Sequence, residues 1–267
     1  MDKKFDIVKM DCEERFGIAA AGGTAAGKFS SLVFGTVLTA VFYGILSILK
    51  LFFSGSTAVL MFFPGGAANR SIIPVLTVFL AIWALAMLLI KRRKLAVQQA
   101  ALKALPAERD PELAAQLLQE KFDPLAEFAA PAILNGRISL EQRGLPPLEV
   151  AEWLEKRLED LERDSDISFM PVSCFIWAVP VLGFIGTVLG LSQAVGNFGS
   201  LANAGDTMTF SEVLPQVTGG LATAFETTLI ALVLALVLQI ISSFQQQAEA
   251  RWIAAVKQAV MPSENSL

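Results

Sequence analysis

The chain has 267 residues, 54% of them hydrophobic and 17% charged, with a net charge of −4, whereas soluble domains run at roughly 45–50% apolar and about 25% charged. The excess lies in long uncharged blocks, which excludes an ordinary soluble core and points to membrane spans; nothing in the charge balance suggests a nucleic-acid surface. Histidine is absent and cysteine is confined to Cys12 and Cys174, which removes the commonest general base and leaves no cluster to hold a metal or cofactor.

The expected architecture is all-α: a polytopic membrane protein with four transmembrane helices and a helical cytoplasmic region. The N-terminal segment 1–28 stays polar, too long a lead for a cleaved signal peptide, and is expected to be retained and cytoplasmic. At its end, Gly22 to Lys28 imitates a phosphate-binding loop, but Phe29 stands where Ser or Thr must hold magnesium. A small-residue lead-in to a membrane helix is the better reading. The first span is expected over 29–53, a periplasmic loop over 54–70 and the second span over 71–90. Each apolar block has about the 20 residues needed to cross the hydrocarbon layer.

Residues 91–167 carry both signs of charge and read as a helical region with breaks near Pro106, Pro111, Pro124, Pro131 and Gly144 to Pro147. Over 148–164, Leu154, Leu158 and Leu161 share a face, while Glu152–Lys156 and Glu159–Arg163 are spaced four apart. This helix is expected to run into a third span over 168–195, with a bend at Pro171. A periplasmic loop over 196–219, a fourth span over 220–244 and a cytoplasmic tail over 245–267 complete the chain, with 245–258 continuing the fourth helix. Of the 21 lysines and arginines, 5 lie in 1–28, 12 in 91–167 and 2 in 245–267, and the connections 54–70 and 196–219 hold only Arg70. By the positive-inside rule, both termini and 91–167 are expected in the cytoplasm. Neither cysteine then lies outside the cell, so no structural disulfide is expected.

In the third span, Gly183, Gly186, Gly190 and Ala194 recur at spacings of three and four and form one smooth stripe. Such stripes let helix backbones approach in lipid, and this one is expected to bring copies of the chain together. Thr187 lies beside it. In the fourth span, Thr223, Glu226 and Thr227 share a face. A carboxylate in hydrocarbon costs several kcal/mol, so Glu226 is expected to face a bundle interior, a water-filled cavity or a charged partner. Counted from the outer helix ends at about 1.5 Å per residue, Thr187 and Glu226 fall at one level, roughly 10–12 Å deep. That coincidence favours an ion pathway formed by Thr187, Thr223, Glu226 and Thr227 over a hydrated bystander carboxylate.

At these helices the sequence resembles the MotA/TolQ/ExbB proton-channel family. Pro180-x-x-Gly183-x-x-Gly186-Thr187-Val188-x-Gly190 is similar to the signature of its first pore-lining helix. Val213-Leu214-Pro215 through Leu221-Ala222-Thr223-Ala224 is similar to the approach and opening of its second. A glutamate found in some members is Thr218 here, Glu226 replaces a common glycine, and a common proline is missing near Leu232. The resemblance implies a homopentamer in the bacterial inner membrane, surrounding two copies of a single-span MotB/TolR/ExbD-like protein whose aspartate binds the moving ion. It implies that Thr187 and Thr223 line the path and that ion flow drives a membrane motor. Four spans resemble the flagellar-stator arrangement more than the three-span one. A pentameric scaffold without productive ion flux is the alternative, and a membrane enzyme is disfavoured because no nucleophile–base pair is evident.

Overall fold

A computed structural model describes residues 5–6, 24–25, 27–53, 57–63, 72–106, 111–203 and 210–261. Most of segment 1–28, including Cys12 and Gly22, Gly23 and Ala26 of the phosphate-loop lookalike, lies outside them, as does Arg70. The described chain is helical almost throughout: α1 Lys28–Phe52, the short α2 Thr57–Leu60, α3 Ile73–Lys103, α4 Pro111–Lys121, α5 Ala129–Gln142, α6 Pro147–Asn203 and α7 Phe210–Val260. Two residues, Phe5–Asp6 (β1), pair in parallel with Phe122–Asp123 (β2). Four helices, α1, α3, α6 and α7, are long and apolar enough to cross a membrane, so the chain is an all-α polytopic membrane protein.

The helices overrun the apolar blocks because nothing in the sequence stops them. Past residue 90, α3 continues through good helix formers to Lys103 and ends ahead of Pro106. Likewise α6 starts at Pro147 and runs unbroken through Pro171 and Pro180 to Asn203, and α7 opens at Phe210, so much of 196–219 is helix rather than loop. Pro131 does not break its helix either. It sits in the first turn of α5, where a missing N–H removes no intrahelical bond. The real stop comes at the other end of α5. Gly144 takes φ +75°, its N–H reaches Glu141 O at 3.0 Å and the Leu145 N–H reaches Leu140 O at 3.3 Å. That paired closure needs a left-handed residue, which glycine supplies without strain, and prolines 146 and 147 then begin the next helix.

The chain divides into two compact units. One, here the polar unit, comprises 1–31, 87–170 and 242–267. Its core joins Leu95 of α3, Ile133 of α5, Leu154 and Leu158 of α6, and Trp252 and Val256 of α7. The face expected from Leu154 and Leu158 is therefore the buried one. A second cluster packs Leu118, Phe122, Phe128 and Ile138. Buried Gln98 of α3 caps α5: its Oε1 accepts the Ala129 N–H at 3.1 Å while its Nε2 donates to Glu127 O at 2.6 Å. On the surface, Arg163 pairs with Asp160 at 2.8 Å instead of with Glu159.

The other, the apolar unit, comprises 32–86 and 171–241. Here α3 is the central helix: 56% of its apolar window is buried, against 11% for α1. Val78 and Ile82 of α3 pack on Ile230 of α7 and, on another side, Leu38 and Phe42 of α1. The Trp83 ring stacks at 4.8 Å from Phe175 of α6 and also closes on Gly35 of α1, where an added Cβ would sit 3.0 Å from the Trp83 backbone.

Candidate functional site

The site lies in the apolar unit, where α6 and α7 meet along a seam of small residues. Gly183, Gly186, Gly190 and Ala194 of α6 all face α7. A Cβ added to Gly183 would meet Ala231 at 2.4 Å, one on Gly186 would meet Thr227 Oγ1 at 2.5 Å, and one on Gly190 would meet the Gly220 carbonyl at 2.7 Å. Ala194 packs on Val217. The glycine stripe is thus occupied within the chain. The expectation that it joins copies is corrected, because its facing partner is already present on α7. That partner is a second stripe, Gly220, Ala224, Thr227 and Ala231, spaced four, three and four apart. Like the first it runs in steps of three and four, and that likeness is the signal that could have paired the two helices from sequence.

Close approach brings backbone carbonyls and hydroxyls together in the middle of the seam. The Thr187 hydroxyl lies 3.2 Å from Gly183 O on its own helix and 3.4 Å from Ala224 O on α7. Thr228 mirrors it, at 3.1 Å from Gly183 O and 3.3 Å from Ala224 O, and the two hydroxyl oxygens share a short hydrogen bond. Each hydroxyl owns one proton, so only two of these contacts are donated bonds at any moment. The arrangement is a small hydrogen-bond node in which each hydroxyl has both carbonyls and the other hydroxyl within reach. Thr187 therefore does bond its own backbone, as an isolated membrane threonine does, but it also bridges two helices.

The node fixes the relative height of the helices: Thr187 stands level with the 224–228 turn, which carries Glu226 and Thr227. Thr223 and Thr227 are fully buried, at 2% and 1% exposure, and each donates back along its own helix, to Gly219 O and Ala224 O at 3.0 Å. Glu226, between them in sequence, is only half-buried. The face read from sequence is thus split: Thr227 turns into the seam, Thr223 is buried and bonded along its own helix, and the carboxylate is left partly exposed. Thr228 was not among the residues singled out from sequence, although it lies four residues from Ala224 and one from Thr227. Among the described residues no three Cys, Asp or Glu side chains gather as a metal site.

No curated protein and no solved structure matches this chain. One family model does match, over residues 111–258, more than half of the chain and including the whole seam. On that match the chain belongs to the MotA/TolQ/ExbB proton channel family.

Proposed function

We propose that this inner-membrane, multi-pass protein is the proton-conducting subunit of an ion-motive-force-driven membrane motor. It acts as a homopentamer around two copies of a single-span MotB/TolR/ExbD-like partner that carries the ion-binding aspartate. The observation that carries this reading is the Thr187–Thr228 node level with Glu226, inside the segment that matches the family. Hydroxyls with more acceptors than protons, on helices that carry a half-buried carboxylate at the same level, suit the hand-over of a proton to and from a partner's aspartate. Support for assembly comes from the outward face of α6. There Trp177, Val181, Phe184, Val188, Leu191 and Val195 are exposed and repeat at spacings of four and three, the rhythm of a helix that packs on further helices. Thr223, Thr227 and Glu226 complete the proposed path, with the buried threonines holding α7 in place and Glu226 acting as relay or as hydrogen-bonder to the partner.

The test is proton flux into vesicles that contain the chain with its partner, weighed intact to count the copies. Thr187→Val and Thr228→Val keep the side-chain shape and remove the hydroxyls. Each is expected to lower flux at least tenfold with five copies still assembled, and Thr→Ser at either site to retain it. If Glu226 relays protons, Glu226→Gln and Glu226→Ala both abolish flux; if it only orients the partner, Gln retains it and Ala does not. Wild-type flux from Thr187→Val and Thr228→Val together would overturn the reading, as would a monomeric mass with the partner present.

The termini and the polar unit are assigned to the cytoplasm from the lysine and arginine distribution. A single cysteine at exposed Glu159, with Cys12 and Cys174 replaced, is expected to react with an impermeant thiol reagent only after the cytoplasmic face is opened. Reaction in intact cells would reverse the topology.

A further inference from the structure

The polar unit buries an ion pair that the ion path does not use. Lys91 of α3 and Glu249 of α7 have side chains 0% and 1% exposed, with Nζ 3.2 Å from Oε2. Around them converge four stretches of chain. Lys91 Nζ donates to Glu249 Oε1 at 3.5 Å, to Ser168 Oγ of α6, and to the backbone carbonyl of Thr24 at 3.5 Å. The Phe169 ring covers the ammonium at 4.0 Å from its centroid. Glu249 Oε1 also accepts the Thr24 hydroxyl. Thr24, ahead of α1, is therefore gripped twice, by its side chain through the carboxylate and by its main chain through the ammonium.

An ammonium has three protons to donate, and here Glu249, Ser168 and Thr24 take all three. If Thr24 withdraws, Lys91 and Glu249 each lose a partner beside a buried ion pair, and buried charges tolerate that poorly. Beyond Thr24, Gly27, Ser30 and Ser31 are buried too. At the far end of the same segment, Phe5–Asp6 makes a two-residue pairing with Phe122–Asp123, a far weaker hold.

We propose that the Lys91–Glu249 pair is a latch for the lead-in to α1: it holds Thr24, and with it the entry to α1, on the polar unit, and the engaged latch positions α3 and α7 for ion-driven turnover. The first half stands on the contacts alone; the second rests on the function proposed above.

Hydrogen–deuterium exchange on the full complex in nanodiscs, with flux measured on the same preparations, tests both. Thr24→Val removes the hydroxyl and keeps the shape, Thr24→Ser keeps the hydroxyl, and the double variant Lys91→Met/Glu249→Leu removes both charges while leaving the site filled. The amides of residues 27–31 are expected to exchange at least tenfold faster in Thr24→Val and in the double variant, and at the wild-type rate in Thr24→Ser. Flux is expected to fall at least threefold in Thr24→Val and not in Thr24→Ser. Unchanged exchange in Thr24→Val, or equally fast exchange in Thr24→Ser, overturns the latch. Faster exchange with unchanged flux overturns the positioning role alone. A wild-type complex that conducts nothing would fail the proposed function and leave the exchange comparison intact.

Discussion

Gly190→Leu is expected to separate α6 from α7 and so to remove the folded seam altogether. The atoms that an added Cβ would meet are main chain, the Gly220 carbonyl oxygen at 2.7 Å and the Ala224 nitrogen at 2.8 Å. No change of rotamer relieves a clash with backbone, so the helices themselves must move apart. The reverse holds from the other side, where a Cβ on Gly220 would lie 2.8 Å from the Gly190 carbonyl. In lipid no hydrophobic effect drives the helices back together, because hydrocarbon solvates apolar side chains as well as another helix does. Separation also breaks the Thr187–Thr228 bridge a turn away. Overpacking a tight core costs about 1–3 kcal/mol and sometimes more; here the upper end or beyond is expected, against the few tenths to about 1 kcal/mol that losing a helical glycine contributes. Unfolding of the reconstituted protein by SDS should show the loss as a midpoint far below wild type. Gly44→Leu is the control, since nothing lies within 4 Å of a Cβ there, and it should unfold as wild type does. Equal resistance of Gly190→Leu and Gly44→Leu would show that the α6–α7 seam is not packed as described.

Why the spans were legible and the seam only half so follows from what each signal depends on. Apolar blocks and basic flanks act one residue at a time, so composition alone locates the four helices. The ends of those helices depend on stop signals, and α6 runs past 195 to Asn203 because no proline stands there to stop it. A glycine stripe declares that something packs closely, but not what. Its partner, the stripe Gly220, Ala224, Thr227 and Ala231, shows in the sequence only as steps of three and four, a weaker signal than the charge of Glu226 on the same helix. The quartet Lys91 to Lys94 shows the same effect on the polar side. As a block it reads as a topological signal, yet at helical spacing it is two kinds of residue: Arg92 and Arg93 are exposed, while Lys91 and Lys94 are buried. Opposite them, Ser242, Gln245 and Glu249 of α7 are buried too, on a face that continues into Trp252 and Val256. A carboxylate on the apolar stripe of an otherwise amphipathic helix is the sequence trace of that pair. Only long-range contact identifies Lys91 as its partner.

The buried pair sets the second large effect. Glu249→Ala is expected to destabilise the polar unit by about 3–5 kcal/mol, because it leaves Lys91 charged in a site that is closed to water. Lys91→Met/Glu249→Leu should recover most of that loss, since neither charge remains to be desolvated and the apolar side chains join the Leu95 and Trp252 cluster. The difference between single and double variants is therefore the diagnostic quantity, and its sign is opposite to simple additivity. Asp160→Asn gives the scale for an exposed pair: with side chains 65% and 37% exposed, Arg163 and Asp160 are hydrated before and after, so about 0–1 kcal/mol is expected. Denaturant titration of tryptophan fluorescence suits the comparison, because Trp252 is buried in the same unit at 3% exposure. A Glu249→Ala midpoint no lower than that of Asp160→Asn would mean that water reaches Lys91. In that case neither the pair nor Thr24 could be held by desolvated charge.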